Sequence, residues 1–444
     1  MRSLGKVVVA GIVIFILLQF VRPSIPSQPP VAEVPAPPAV KQVLSKSCYS
    51  CHSDQPQLAW FDHIQPAYWL VRKDILTARE HLNFSTLGSL PPDAQKGKLY
   101  EAVTMIQLGA MPLPRFLALH PAAKVSSAEL DIIKSYLAPW SAQPQSVSAV
   151  DTTPSVSLTA VQPELGGFPF DPSFENWKPL SFTDRGDNYS FRFILGNDVA
   201  INAARSGNIS PWPDGTRFAK IACQQQVGAD GLIHPGKFIQ VELMQKDAQS
   251  YKATEGWGWG RWRGLNLKPY GKDATYVNEC TGCHLPVRGD DNVYTQPITT
   301  ARVPREEVVN NNAASLPSNL PWQPLSWSPI TLYVDASHQH IAVLFGNDTA
   351  MKAVRTNNSS AATGMQYPEG AVLALVTWAL RDDPHWFGAR IPNTPQSVEF
   401  VQVSPEGKPP LYRIFQGSSL AENHPNDTVT RTDFILNLPP ARLP

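Results

Sequence analysis

Apolar residues run from Val7 to Phe20, broken only by Gln19, behind the basic residues Arg2 and Lys6. From Leu4 to Val21 the run is near the lower limit for a membrane span. Lys6 and Arg22 are placed to reach the two interfaces. No small-x-small cleavage site follows, because the chain continues Val21-Arg22-Pro23-Ser24. An uncleaved signal-anchor over residues 1–22 is expected, against a cleaved signal peptide. Further along, the apolar period is helical. Leu130, Ile133 and Leu137 follow Ser126 and Glu129, which have capping-box spacing. Leu99 to Leu108 predicts a second helix, ending at Gly109. In Phe238 to Met244 the period becomes two: Ile239, Val241 and Leu243 alternate with Gln240 and Glu242, which predicts a strand.

Loop-forming stretches divide the chain. Residues 23–40 are rich in Pro, Ala and Val, a composition that favours a semi-rigid polyproline II spacer. Residues 141–164 and 301–317 read as further linkers. Between them lie a helical domain at 41–140 and strand-rich domains at 165–300 and 318–440. The last two repeat one another. Trp177-Lys178-Pro179-Leu180-Ser181 returns as Trp322-Gln323-Pro324-Leu325-Ser326. Gly196-Asn197-Asp198 returns as Gly346-Asn347-Asp348, and Asp214-Gly215 as Glu369-Gly370. The spacing between copies grows along the chain, as insertions in loops produce.

The cysteines change the picture. Four of the 5 stand in Cys48-Tyr49-Ser50-Cys51-His52 and Cys280-Thr281-Gly282-Cys283-His284. Cys-x-x-Cys-His is the c-type haem attachment signature. The two thiols add to the haem vinyl groups, and the adjacent His is placed to ligate iron. A thioredoxin-like site needs a βαβ context, and zinc needs further ligands at finger spacing; neither accompanies either motif. Two c-type haems are expected: Cys48, Cys51, Cys280 and Cys283 hold the macrocycles, and His52 and His284 hold the irons. Cys223, in an apolar-edged run, reads as a small buried hydrophobe. The third domain has no cysteine and Leu375 where the second has Lys220, so it is expected to be a haem-less structural partner.

Charged residues are 17% of the chain and prolines number 43, which suggests a loop-rich extracytoplasmic protein. Net charge is zero and implies no nucleic-acid partner. Because c-type haem attachment is extracytoplasmic in bacteria, the body is expected in the periplasm, held at the inner membrane by the anchor.

The middle domain resembles the cytochrome P-460 family. The resemblance is carried by Gly196 to Ala200, Trp212-Pro213-Asp214-Gly215, Ala219-Lys220-Ile221, Lys246-Asp247, Gly256-Trp257-Gly258-Trp259-Gly260 and Glu279 through Val287. It implies a mainly antiparallel β fold, a c-type haem, and a lysine, here Lys220, cross-linked to the macrocycle. It also implies oxidation of hydroxylamine, with nitric oxide chemistry close by. Read from pattern alone, Lys220 would be a solvent-facing strand lysine. Glu242 is a candidate proton acceptor, against an exposed strand glutamate. Trp257, Trp259 and Trp262 are candidates to wall the haem, against a packed turn.

Most of residues 1 to 140 resembles a periplasmic haem-binding domain family, through Cys48 to Ser53, Leu82 to Ser85, Met111-Pro112 and His120-Pro121, and through the anchor followed by Gln19-Phe20 and Arg22-Pro23. Met111 is the expected sixth ligand of that haem, with His63, His81 and His120 as rivals. The fold class expected is therefore multidomain α and β. An N-terminal α-helical c-type haem domain precedes two tandem, mainly antiparallel-β, cytochrome P-460-like domains. The expected function is hydroxylamine oxidation at the middle haem, with electrons relayed through the first to a periplasmic cytochrome or membrane acceptor. The alternatives are a nitric oxide-binding or sensing protein, and a plain electron-transfer cytochrome.

Overall fold

The computed structural model describes residues 2–33, 35–137, 156–298, 310–357, 365–425 and 428–441. Residues 141–155 and 301–309 of the two expected linkers lie outside the described residues. The chain divides into two compact units, Met1–Ser141 and Ala142–Pro444.

The first unit is helical: α1 (Arg2–Leu18), α2 (Pro38–Ser47), α3 (Tyr49–His52), α4 (Ala67–His81), α5 (Pro92–Gln107), α6 (Pro114–Leu117) and α7 (Ser127–Leu137). Helix α1 has 17 residues and ends before Gln19, whose side chain accepts from the Gln65 amide at 3.0 Å. Among the described residues no helix is long and apolar enough to cross a membrane. The capping box forms: Ser126 N–H donates to Glu129 Oε2 at 2.9 Å, and Glu129 N–H to Ser126 Oγ at 3.3 Å. Helix α5 begins seven residues before the apolar run that predicted it, with Pro92 in its first turn, where a missing N–H costs nothing. Gly109, at φ +68°, follows its end. The core holds Val43, Ile75, Leu99, Val103, Ile133 and Leu137.

The Pro-rich segment is not a free spacer over its first part. A proline-rich extended chain leaves its carbonyls unpaired, and side chains of α4 use them. Tyr68 hydroxyl donates to the Pro23 carbonyl at 2.7 Å, Arg72 to Ser24 at 2.9 Å and Arg79 to Pro26 at 2.5 Å.

The second unit contains both strand-rich copies. The first is β1 (Lys178–Arg185), β2 (Ser190–Gly196), α8 (Asp198–Ser206), β3 (Arg217–Val227), β4 (Ile233–Lys246), β5 (Trp257–Arg263), β6 (Lys268–Pro269) and α9 (Val277–His284). The second is β7 (Ser328–Asp335), β8 (His340–Gly346), α10 (Asp348–Asn357), β9 (Val372–Asp382), β10 (Ala389–Gln402), β11 (Leu411–Gln416), β12 (Ala421–Asn423) and α11 (Val429–Asn437). The copies share one antiparallel sheet in the order β1-β2-β3-β4-β7-β8-β9-β10, which closes through β1–β10 pairing; β5 and β11 extend it from β4 and β10. Phe182, Phe193, Phe345 and Trp378, one from each of four strands, fill the shared interior. Cys223 is buried there too, its thiol pushed up by desolvation to about 12.

The repeated Gly-Asn-Asp is a structural device. Asn197 Oδ1 caps α8 by accepting from Ala200 N–H at 3.0 Å and also accepts from Arg217 N–H at 3.1 Å; Asn347 does the same with Ala350 and Val372. A Cβ on Gly196 or Gly346 would stand 2.9 Å from the methyl of Ala200 or Ala350.

The copies differ on their outer faces. On the second, Phe434 and Ile435 of α11 and Leu438 at its end pack over Leu373, Leu375 and Tyr333. Glu399, opposite Leu375 in register, is buried at 2% exposure. It is held by Arg431 of α11 through bonds of 2.6 and 2.7 Å and by Tyr412 at 2.7 Å. Arg431→Met strands that carboxylate in a dry site, and breaking a buried pair costs about 3 kcal/mol. The urea midpoint of the second unit should fall accordingly, and an unchanged midpoint would show that the pair contributes nothing.

Candidate haem centre

On the first copy the outer face carries a cleft of about 320 Å³ instead of a packed helix. Strand register builds its floor. Lys220 of β3 stands opposite Ile194 of β2 and Glu242 of β4, and Glu242 stands opposite Arg261 of β5. One row toward α8 are Phe218, Met244 and Trp259; one row the other way are Arg192 and Gln240. Helix α9 lies over this floor and brings Cys280, Cys283 and His284 to the same cleft.

The alternation predicted for β4 holds for Val241 and Leu243 but not for Ile239. The pairing steps from Ala222↔Gln240 to Cys223↔Phe238 and leaves Ile239 over. This β-bulge turns Phe238 into the core and leaves Ile239 half-buried. The tryptophans divide by strand period. Trp259 lines the cleft, Trp257 is buried on the same side behind it, and Trp262 points into the shared interior.

The electrostatics follow from burial and charge. Lys220 forms an ion pair with Glu242, and Gln240 donates to the same carboxylate, with Arg261 Nε 3.4 Å away. Burial opposes the charge on Glu242, but Lys220, Arg261 and Arg192 together outweigh it and hold the carboxyl at about 2. Burial depresses Lys220, with Glu242 acting in the opposite direction. Arg192 is pushed down to about 10, chiefly by burial and secondarily by Arg185. Cationic groups outnumber carboxylates around the cleft, which suits a ligand carrying carboxylates.

His284 is prepared as a ligand. Its Nδ1 meets the Asn292 carbonyl at 2.7 Å, which directs the proton to that nitrogen and leaves Nε2 for a metal. Burial pushes the ring down to about 4, so it is neutral. The accepting carbonyl sits on a left-handed turn, with Asp291 at φ +52° and Asn292 at φ +65°. Lys246 pins that turn through Asp291 at 2.6 Å, and Trp257 Nε1 donates to the Asp291 carbonyl at 2.8 Å. Trp259 and Tyr294 flank the imidazole at 4.4 and 5.1 Å between ring centroids.

In the first unit His52 repeats the arrangement: Nδ1 meets the Leu82 carbonyl at 2.9 Å, leaving Nε2. Of the expected sixth ligands, His120 has both nitrogens engaged, by Phe116 O at 3.2 Å and Asp62 at 3.0 Å. His63 and His81 are exposed. Met111 is half-buried just beyond the left-handed Gly109, its amide bonded to the Met105 carbonyl at 3.1 Å. Burial raises the Cys48 thiol to about 12, and Cys51 and Cys280 to about 11. Reactive redox cysteines are instead depressed. Among the described residues no three His, Cys, Asp or Glu side chains form a metal cage.

The residues of the cleft fit a c-type haem: two thiols and a free imidazole nitrogen converge from one helix onto a cationic, partly apolar floor. Sequence reasoning missed several parts of this site. Arg192 and Arg261 reach it through strand register, and Asn292 acts through its backbone, which leaves no side-chain signal. Asp383, Trp386 and Ile391 come from the second copy, around the β9–β10 turn.

Residues 10–139 match the family model described as a haem-binding domain. Residues 172–295 and 325–408 match the model described as cytochrome P460, so both copies fall within it. No curated protein matches the chain.

Proposed function

We propose a function for this chain, which is a haem-binding domain joined to two segments of the cytochrome P460 family. It is a di-haem c-type cytochrome that oxidises hydroxylamine at the middle haem and relays electrons through the first. The observation that carries the reading is convergence. Lys220, Glu242, Cys280, Cys283 and His284 come from β3, β4 and α9 and line one cleft.

Bound haem supplies a redox-active iron that withdraws electrons from a nitrogen ligand. The rest is done by side chains. Cys280 and Cys283 would tether the macrocycle, and His284 would bind the iron through Nε2. Lys220, on the floor of the same cleft, would be the side chain linked to the macrocycle. Glu242, ionised at neutral pH, accepts protons from the substrate. Its depressed pKa makes it a weak base while Lys220 is a cation; a Lys220 linked to the macrocycle would carry no such charge and would leave Glu242 more basic. His52 and Met111 would hold the iron of the first haem, an arrangement that suits electron transfer.

Tethering both haems in one chain keeps the effective concentration of the first acceptor high. Met111→Ala should leave the middle haem spectrum intact and slow transfer between haems. Equal transfer rates in the two proteins, measured by rapid mixing, would count against the relay. The apolar helix α1, exposed along its length at Val7, Ile12, Phe15 and Leu17, is proposed as an inner-membrane anchor with the body in the periplasm. A periplasmic cytochrome or membrane carrier is the proposed final acceptor.

Mass spectrometry of digested, haem-loaded protein tests the central claim. The Lys220 peptide should be joined to the haem peptide carrying Cys280 and Cys283, and the protein should turn over hydroxylamine. A free Lys220 peptide in fully loaded protein would replace the oxidase reading with nitric oxide binding.

A further inference from the structure

The copy without cysteines contributes to the cleft of the other copy. In the β9–β10 turn, His385 Nδ1 bonds to the Tyr294 carbonyl at 2.7 Å, and the Trp386 ring meets the Tyr294 ring at 5.6 Å and 67°. Tyr294 in turn stands edge-on to His284 at 83°, and its hydroxyl donates to the Cys283 carbonyl at 2.6 Å. Trp386 is itself held. The Arg185 guanidinium lies 4.2 Å from its ring centre and is fixed by two bonds to Asp187, of 2.6 and 2.5 Å. The Trp386 indole N–H donates to the same carboxylate at 3.4 Å.

We propose that Trp386 and His385 of the haem-less copy are positioning residues for the axial ligand of the other copy, acting through Tyr294 on His284 and on the α9 turn that carries Cys283. The imidazole lies between two aromatic rings. Trp259 is built into β5 of its own copy, whereas Tyr294 follows α9 and is braced by the second copy as well as by Cys283. The Asn292 carbonyl sets the tautomer of His284, and the two rings set its plane. Groups of this kind, one step removed from the metal, tune ligand basicity and the properties of the iron. The second copy thus acts on the haem without holding one.

This inference rests on the reading of His284 as iron ligand, and the test separates the two. Full-length, haem-loaded protein is examined by resonance Raman spectroscopy for the iron–histidine band and by redox titration for the middle haem. Trp386→Ala should broaden that band and lower its frequency. It should also shift the reduction equilibrium about tenfold toward the ferrous form, about 59 mV for one electron. Trp386→Phe, which keeps a ring against Tyr294, should restore both to within about twofold of the parent equilibrium. His385→Gln, which alters the bond to the Tyr294 carbonyl, serves as a second probe if Trp386→Ala does not fold. An iron–histidine band that survives His284→Gly in the middle haem would overturn the ligand reading. A band lost in His284→Gly but unmoved, with its potential, in folded Trp386→Ala and His385→Gln would overturn the positioning role alone.

Discussion

Replacing Cys280 and Cys283 with serine should halve the covalently bound haem and abolish hydroxylamine turnover, while the haem on Cys48 and Cys51 remains. A serine hydroxyl forms no thioether with a vinyl group, so the macrocycle loses both tethers. The proposed Lys220 link, which needs a macrocycle already held in the cleft, should fail with them, and His284, neutral and buried, would hold the haem only as a dissociable ligand. The cleft floor, with the Lys220–Glu242 pair and two arginines, would then face water. The second unit should still fold, because its main core lies inside the closed sheet and includes neither cysteine. Intact mass and the absorbance of the alkaline pyridine complex read the haem content. Full haem content in the double variant would remove the assignment of this motif as an attachment site.

On the proposed function, Lys220→Leu should leave haem content unchanged but remove the proposed cross-link, with turnover reduced by about 100-fold or more, the scale of losing one positioned proton-transfer arrangement. Leucine is tolerable there: the second copy has Leu375 at that place, with Glu399 opposite. The two sites differ in what neutralises the carboxylate, since Arg431 serves Glu399 and Lys220 is the ion-pair partner of Glu242. After Lys220→Leu, Arg261 and Arg192 still face Glu242, so the cost to stability should be roughly 1–2 kcal/mol, less than for a fully stranded charge.

The acid limb of stability should move as well. In the parent, the Glu242 carboxyl is held at about 2, below its ordinary value of about 4.3. Its contribution is therefore full above the ordinary value and lost as pH falls toward the folded one. With a cation removed, the folded value rises, the window narrows and the contribution shrinks. Urea midpoints across the acid range in haem-free protein would read this. Identical acid limbs in parent and variant would show that Lys220 does not set the charge state of Glu242.

How much could be read in advance depended on distance along the chain. The capping box at Ser126 and Glu129 is contained in four consecutive residues and formed as expected. The repeat was visible because Gly-Asn-Asp packs and caps locally in both copies. The strand at Phe238–Met244 was also legible, but not its facing throughout, since the bulge at Ile239 arises from pairing with β3. Lys220 gave no sign of burial in its own strand. Its setting depends on α9, which lies beyond three further strands in the chain.

The sequence by itself determined the local chemistry. Two thiols one turn apart beside a histidine make a motif complete within five residues, and no distant contact is needed to recognise it. It also determined the order of parts, a helical domain and then two copies of a strand-rich one, because hydrophobic period is a local property. Only the tertiary structure decided that the copies close into one sheet, that Lys220, Glu242 and Arg261 fall in one row, and that Trp386 reaches the cleft of its neighbour. The reason is register. A strand side chain faces one of two sides, and which residues become neighbours is set by pairing between distant segments and by the packing of the shared core.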